Sequence, residues 1–290
     1  MRRAIEAPGG RVFYSLEGGE AAPALLLLHA WPLDGRLWSA AARRLSTRYR
    51  VLRPDWRGCA PEDGCEHGSA PFQGRSRPED WPPVTPADLA MDVAAILTAE
   101  AIDSVIAAGC SLGGYVLYEL LRQFPERIRA AAICDARPEA DADHGEARRQ
   151  ADAELLAEAG RAGAEPARAN WRERLLPRLL GETTRARRPE VASRLAGWLA
   201  ERSIAAAVRL NQGMARRRDQ RPLLPTLRLP VTILAGEEDA LWPAAEVRQT
   251  AAATPGAELQ FIPQAGHLPM LENPAAFDPA LDEFLQTVTN

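Results

Sequence analysis

The chain has 290 residues, 46% of them hydrophobic and 26% charged, with a formal net charge of −4. That apolar content is enough for one large domain or two small ones, and it excludes a disordered chain, which has few large apolar residues and a strong charge imbalance. All 35 basic residues are arginine, so Schiff-base, pyridoxal and lysine-nucleophile chemistry are excluded as well.

The opening residues, Met1 to Glu6, lack the apolar core of a signal peptide, and no run of 18 apolar residues follows. The expectation is a soluble cytoplasmic protein with no membrane partner. Pro8-Gly9-Gly10 before Val12-Phe13-Tyr14-Ser15-Leu16 predicts an N-terminal hairpin. Ala24 to His29 is a continuous apolar run, as a strand buried on both faces requires. Arg50 to Asp55 reads as a further short strand, and Cys59 to Phe72, rich in Gly, Pro and acids, as a loop. Cys59 and Cys65 share that loop, where pairing is open to them. Four cysteines are too few for a disulfide scaffold, and no C-x-x-C pair or metal-spaced His/Cys cluster occurs, so no metal site is expected.

Pro86 to Glu100 predicts a helix with proline at its start and Leu89, Val93, Ile96 and Leu97 on one face. Ser104 to Cys110 is a strand running directly into a helix that Pro125 ends, and Ala130 to Asp135 is the next strand. This alternation favours a parallel sheet with helices on both faces. From Glu139 to Arg228 the spacing becomes helical throughout; strands resume at Val231 to Ala235 and Leu259 to Ile262. The expected organisation is a core of residues 1–138 and 229–290 with a helical insertion, residues 139–228. That insertion holds 18 arginines against 13 acids. A solvated helical surface accounts for this surplus; the alternative is a cap whose positive field favours anionic substrates.

The chemistry centres on Gly109-Cys110-Ser111-Leu112-Gly113-Gly114. A G-x-S-x-G sequence alone is a weak signal, but here a strand precedes it and a helix follows. The turn lifts Ser111 from the sheet edge, and the helix aims its positive end at charge forming beside it. Serine needs a base to become nucleophilic. Of the four histidines, His267 lies after the last strand, at the carboxyl edge where open α/β sheets place their sites. His29 ends an earlier strand, His67 is in the 59–72 loop and His144 opens the helical segment. Asp239, after the Val231–Ala235 strand, is the candidate to orient the imidazole, and Asp135, after the preceding strand, is its rival. The chain order Ser–Asp–His is that of the nucleophile-elbow hydrolases and not of the serine proteases.

His29-Ala30-Trp31-Pro32-Leu33-Asp34, Asp55-Trp56-Arg57-Gly58, the GCSLGG run, Gly236 to Pro243 (GEEDALWP) and Ala265-Gly266-His267 together resemble the α/β-hydrolase family. Within it the chain is similar to small serine esterases, 3-oxoadipate enol-lactonases and cofactor-free haloperoxidases. The resemblance covers residues 10–290 and implies a mostly parallel eight-stranded sheet with helices on both faces and a helical cap inserted after strand 6. It also implies an oxyanion hole made by the backbone N–H groups of Trp31 and Leu112. His29 resembles the histidine that braces the Trp31 loop, a supporting role.

Three departures stand out. Ala30 occupies a position where the family often has glycine, which costs roughly 1 kcal/mol if φ is positive there. The D-x-R-G-x-G-x-S loop is split between Asp55-Trp56-Arg57-Gly58 and Gly74-Arg75-Ser76 by residues 59–72. The nucleophile position holds serine, which disfavours aspartate-based dehalogenase and epoxide-hydrolase chemistry.

The leading expectation is a hydrolase of a small carboxylic ester or lactone, working through an acyl-enzyme at Ser111 with no cofactor. Perhydrolysis or C–C cleavage by the same residues is the enzymatic alternative, and a ligand sensor with negligible turnover the non-enzymatic one. The substrate-binding candidates are His29, Trp171, Trp198 and Trp242. Trp171 and Trp198, with Leu175 and Leu179, also fit as plain packing residues at helical spacing. The arginines are spread among acids with no recognised binding motif, so nucleic-acid binding is not expected.

Overall fold

The structure, a computed structural model, describes residues 2–57, 59, 82–141, 143–160 and 165–289, with the side chains of 143, 144 and 146 not described. Eight strands form one sheet: β1 (Arg2–Ala7), β2 (Gly10–Glu17), β3 (Ala24–Leu28), β4 (Arg50–Pro54), β5 (Val105–Cys110), β6 (Ile128–Cys134), β7 (Val231–Gly236) and β8 (Glu258–Ile262). Their spatial order is β1-β2-β4-β3-β5-β6-β7-β8. The N-terminal hairpin forms as its turn residues predict; β1–β2 and β2–β4 are antiparallel, and every later pairing is parallel. This is the α/β-hydrolase arrangement that the sequence resembles.

The central strands are apolar at successive positions because both sheet faces are covered. Every residue of β3, β5 and β7 is buried. On one side, α1 (Ser39–Leu45) lies with the C-terminal helix α11 (Pro274–Thr289), joined by Arg44–Asp278 at 3.2 Å and Arg48–Asp282 at 2.9 Å. The helices α2 (Pro86–Ala99) and α3 (Leu112–Gln123) pack against each other and the sheet. α2 starts where expected because Thr85 and Asp88 form a reciprocal capping box with Pro86 in the first turn.

Between β6 and β7 the chain forms α4 (Asp143–Ala159), α5 (Glu165–Leu179), α6 (Glu182–Arg187), α7 (Pro189–Ala200) and α8 (Ile204–Ala215). After β7 come α9 (Ala244–Ala253) and, beyond β8, the short α10 (Pro269–Glu272). Within the described residues, no helix is long and apolar enough to cross a membrane.

The motif residues Asp55 and Arg57 are structural here. Asp55 accepts from the Gly35 N–H at 2.7 Å and pairs with Arg2 at 2.9 Å, while Arg57 grips Asp92 on α2 through two nitrogens. Ala30 does not adopt positive φ, so the strain considered for it does not arise. Cys65, His67 and Gly74-Arg75-Ser76 lie outside the described residues, as does the His144 side chain.

Candidate active site

Ser111 joins β5 to α3 with φ 54° and ψ −116°, a conformation costly for a residue with a Cβ. The flanking glycines make the turn possible. A Cβ on Gly109 would sit 2.4 Å from the Gly113 carbonyl oxygen, and one on Gly113 would sit 2.2 Å from the Leu28 carbonyl oxygen. Strand, turn and helix are thus stacked backbone to backbone. The Ser111 N–H donates to Cys134 O at 3.0 Å, and its carbonyl accepts from Tyr115 N at 3.0 Å, opening the helix. Leu112 is the first residue of α3, where an N–H has no acceptor within the helix and points outward.

His267 follows β8, and its Nδ1 lies 2.8 Å from Asp239 Oδ2 in the β7–α9 loop. A carboxylate accepts only, so Nδ1 carries the proton and Nε2 is left as the basic nitrogen. The second oxygen of Asp239 accepts from the Leu241 N–H at 2.7 Å, which fixes the carboxylate plane. All three residues, Ser111, Asp239 and His267, are buried. Asp135, the rival carboxyl, ends β6 with φ 45° and accepts from the Gly236 N–H at 2.9 Å. Burial, followed by the nearby Asp239 carboxylate, pushes the Asp135 pKa well above the usual carboxylate range. Asp135, Asp239 and His267 bring one ligand atom each within 4.8 Å of one another, the geometry of a small metal site. Two of these three groups, His267 Nδ1 and Asp239 Oδ2, are already joined by their own 2.8 Å hydrogen bond.

A cavity of about 470 Å³, counting its open mouth, is lined by both Ser111 and His267. Trp31, Leu175, Leu179, Met214, Leu241 and Trp242 give it an apolar wall. Of the substrate-binding candidates, Trp242 lines this cavity directly. Trp171 stands behind it, edge-on to Trp31 at 6.4 Å, and Trp198 lies under Arg36 with 5.7 Å between guanidinium and ring. His29 is fully buried between the Ala30 carbonyl, 3.0 Å from Nδ1, and the Trp56 N–H, 3.2 Å from Nε2. Burial holds its pKa below the ordinary histidine value, as suits a neutral brace for the Trp31 loop.

Two sets of residues escaped the sequence reading. Buried Glu272 on α10 accepts from the N–H groups of Gly266 and Leu268, both at 3.0 Å, and of Gly181 at 2.8 Å. It therefore clamps His267 from both sides and ties that loop to the segment between α5 and α6. Four arginines, Arg137, Arg148, Arg149 and Arg178, also line the cavity. For Arg148, Arg149 and Arg178 the sequence signal was the arginine surplus of residues 139–228; Arg137 lies before that stretch and had none.

This chain belongs to the alpha/beta hydrolase family, whose model matches residues 25–280. It is similar to a pimeloyl-[acyl-carrier protein] methyl ester esterase of Xanthomonas oryzae pv. oryzae, 30% identical over 92% of this chain and 96% of that protein. Among solved structures it resembles a thermophilic esterase from Thermogutta terrifontis, described with malate bound, at TM-score 0.83 and 28% identity over the whole of both chains. An enol-lactonase from Burkholderia xenovorans LB400 shares the fold at TM-score 0.79 and 22% identity, over 98% of this chain and all of that one.

Proposed function

We propose that this protein is a carboxylic ester hydrolase that works through an acyl-enzyme on Ser111. The observation that carries the reading is the 2.8 Å His267–Asp239 bond, facing the same cavity as a serine on a strand–helix elbow. In this mechanism His267 Nε2 takes the Ser111 proton as Oγ attacks the ester carbonyl, then returns it to the leaving alcohol. Asp239 holds the imidazole in the required tautomer and stabilises it when charged. The Trp31 and Leu112 N–H groups receive the negative charge that forms on the carbonyl oxygen. Water, activated by the same histidine, then releases the acid.

Residues 139–228 act as a cap over a core of residues 1–138 and 229–290, supplying the apolar wall through Leu175, Leu179 and Met214. The similar proteins named as methyl ester esterases and as an esterase support an ester over a lactone as the substrate.

A burst assay with p-nitrophenyl esters of increasing acyl length tests the mechanism. Wild type is expected to release one equivalent of p-nitrophenol rapidly, and Ser111→Ala none. Steady turnover that survives in Ser111→Ala would reject the acyl-enzyme.

A further inference from the structure

The arginine wall of the cavity is unevenly matched by acids. Arg178 pairs with Asp152 at 2.5 and 3.1 Å, and Arg137 with Glu246. Arg149 reaches Asp141 at 2.9 Å, but Arg217 takes the same carboxylate at 2.6 Å. Among the described residues, the carboxylate paired with Arg148 is again Asp141, at 3.7 Å. One carboxylate therefore faces three guanidinium groups. Among the described residues, Arg148 donates no hydrogen bond to a carboxylate, although a guanidinium offers five N–H groups in a fork.

We propose that Arg148, flanked by Arg149 and Arg178, is an anion subsite of the active-site cavity, and that the preferred ester carries a carboxylate on one of its arms. This rests on the reading of Ser111 as the nucleophile. The field at Arg148 supports it: burial, then the neighbouring Arg149, holds its pKa below the ordinary guanidinium value, and Arg178 adds to the effect. It stays ionised all the same, because arginine does not lose its proton in proteins. An anion placed there relieves repulsion among the three arginines and fills an empty fork.

Among the described residues, the acids that pair with this wall are engaged by its other arginines: Asp141 with Arg149 and Arg217, and Asp152 with Arg178. One spare planar fork matches one carboxylate. The apolar residues of the same cavity, Leu175, Leu179 and Met214, suit a short hydrocarbon chain between that carboxylate and the ester.

The test compares kcat/KM for the monoethyl and diethyl esters of the dicarboxylic acids from succinate to suberate. Acetate esters of ω-hydroxy acids, set against their methyl esters, examine a carboxylate on the alcohol arm. The expected result is a preference for the charged ester of about 10- to 100-fold on one arm, as a hydrogen bond to an ionised group provides. Arg148→Gln should bring that ratio close to one, chiefly through KM, and Arg148→Lys should restore part of it. If Arg148→Gln does not fold, Arg148→Lys against wild type carries the comparison, with an intermediate ratio expected.

Equal kcat/KM for charged and neutral esters on both arms would overturn the subsite, as would an unchanged ratio in the folded Arg148 variants. If wild type hydrolyses no ester at all, the reading of Ser111 fails, and calorimetric titration with adipate decides the subsite alone. Binding that weakens about tenfold or more in the variant supports it; no binding to wild type rejects it.

Discussion

Two buried carboxyl groups lie close to His267, and their surroundings differ. Asp239 accepts from the imidazole and from a backbone N–H. Asp135 receives a single N–H and faces Asp239, and burial raises its pKa well above the usual carboxylate range. The proposed mechanism then predicts that Asp239→Asn lowers kcat on the order of 10³- to 10⁴-fold, because an amide no longer fixes the Nδ1–H tautomer. Asp135→Asn, whose amide oxygen can still accept from the Gly236 N–H, should stay within about threefold of wild type. Steady-state kinetics on one p-nitrophenyl ester decides it, and the reverse ranking would exchange the two roles. Stability gives a second readout. The folded-state pKa of Asp135 is raised, so between about pH 3.9 and that higher value folding takes up a proton and stability falls as pH rises. Removing the group removes that slope. Denaturant melts should therefore show Asp135→Asn gaining on wild type from pH 4 to pH 8.

At the scale of elements, the site depends on how two turns are held. The β5–α3 elbow is fixed by backbone contacts at Gly109 and Gly113 and needs no side chain. The His267 loop, by contrast, is held by Glu272. Its two oxygens satisfy three N–H groups, from Gly266, Leu268 and Gly181, in a place closed to water. Glu272→Ala leaves those donors unpaired, at about 1–3 kcal/mol each, so a loss of at least about 3 kcal/mol is expected. The His267 ring should lose its fixed position as well, lowering kcat more than it raises KM. Urea denaturation and kinetics on the same preparation check this. A variant as stable and active as wild type would show that the clamp is dispensable.

For the molecule as a whole, the helices between β6 and β7 are joined to the sheet by buried polar links beside the cavity. Arg202 at the end of α7 pairs with Asp34 at 2.6 Å, both side chains almost fully buried. Trp31 Nε1 donates to Ala207 O on α8 at 3.0 Å, so the loop that offers the Trp31 N–H is itself tied to those helices. Arg202→Met removes one of the two guanidinium partners of Asp34, leaving Arg36 at 2.9 Å, and is expected to cost about 1.5–3 kcal/mol at neutral pH. Burial raises the Asp34 pKa, but Arg36 and Arg202 outweigh it, and the folded value lies below the ordinary one. Its stabilising contribution is therefore complete above about pH 4 and disappears as pH falls through the folded value. The stability gap between wild type and Arg202→Met should narrow in acid. A gap independent of pH from 7 to 2 would mean that packing, and not the ion pair, joins the two parts.

The sequence by itself determined the sheet, the strand–turn–helix at Ser111 and the places of His267 and Asp239 on the carboxyl edge. Each of these is written in contiguous residues: doubly buried strands as apolar runs, the elbow as glycines where backbones meet, the loop residues by their position after a strand. Ala30 was legible as a departure, but its harmless φ was not, since a loop's torsions depend on what packs around it. The folded structure alone shows that Asp239 lies 2.8 Å from the His267 ring and that burial raises the Asp135 pKa, because both depend on neighbours distant in the chain. It alone revealed the clamp of Glu272, whose three partners come from two segments. It also alone separated Arg148 from the other arginines of residues 139–228. Composition counts guanidinium groups and carboxylates, but how closely each pair approaches depends on distances that only folding sets.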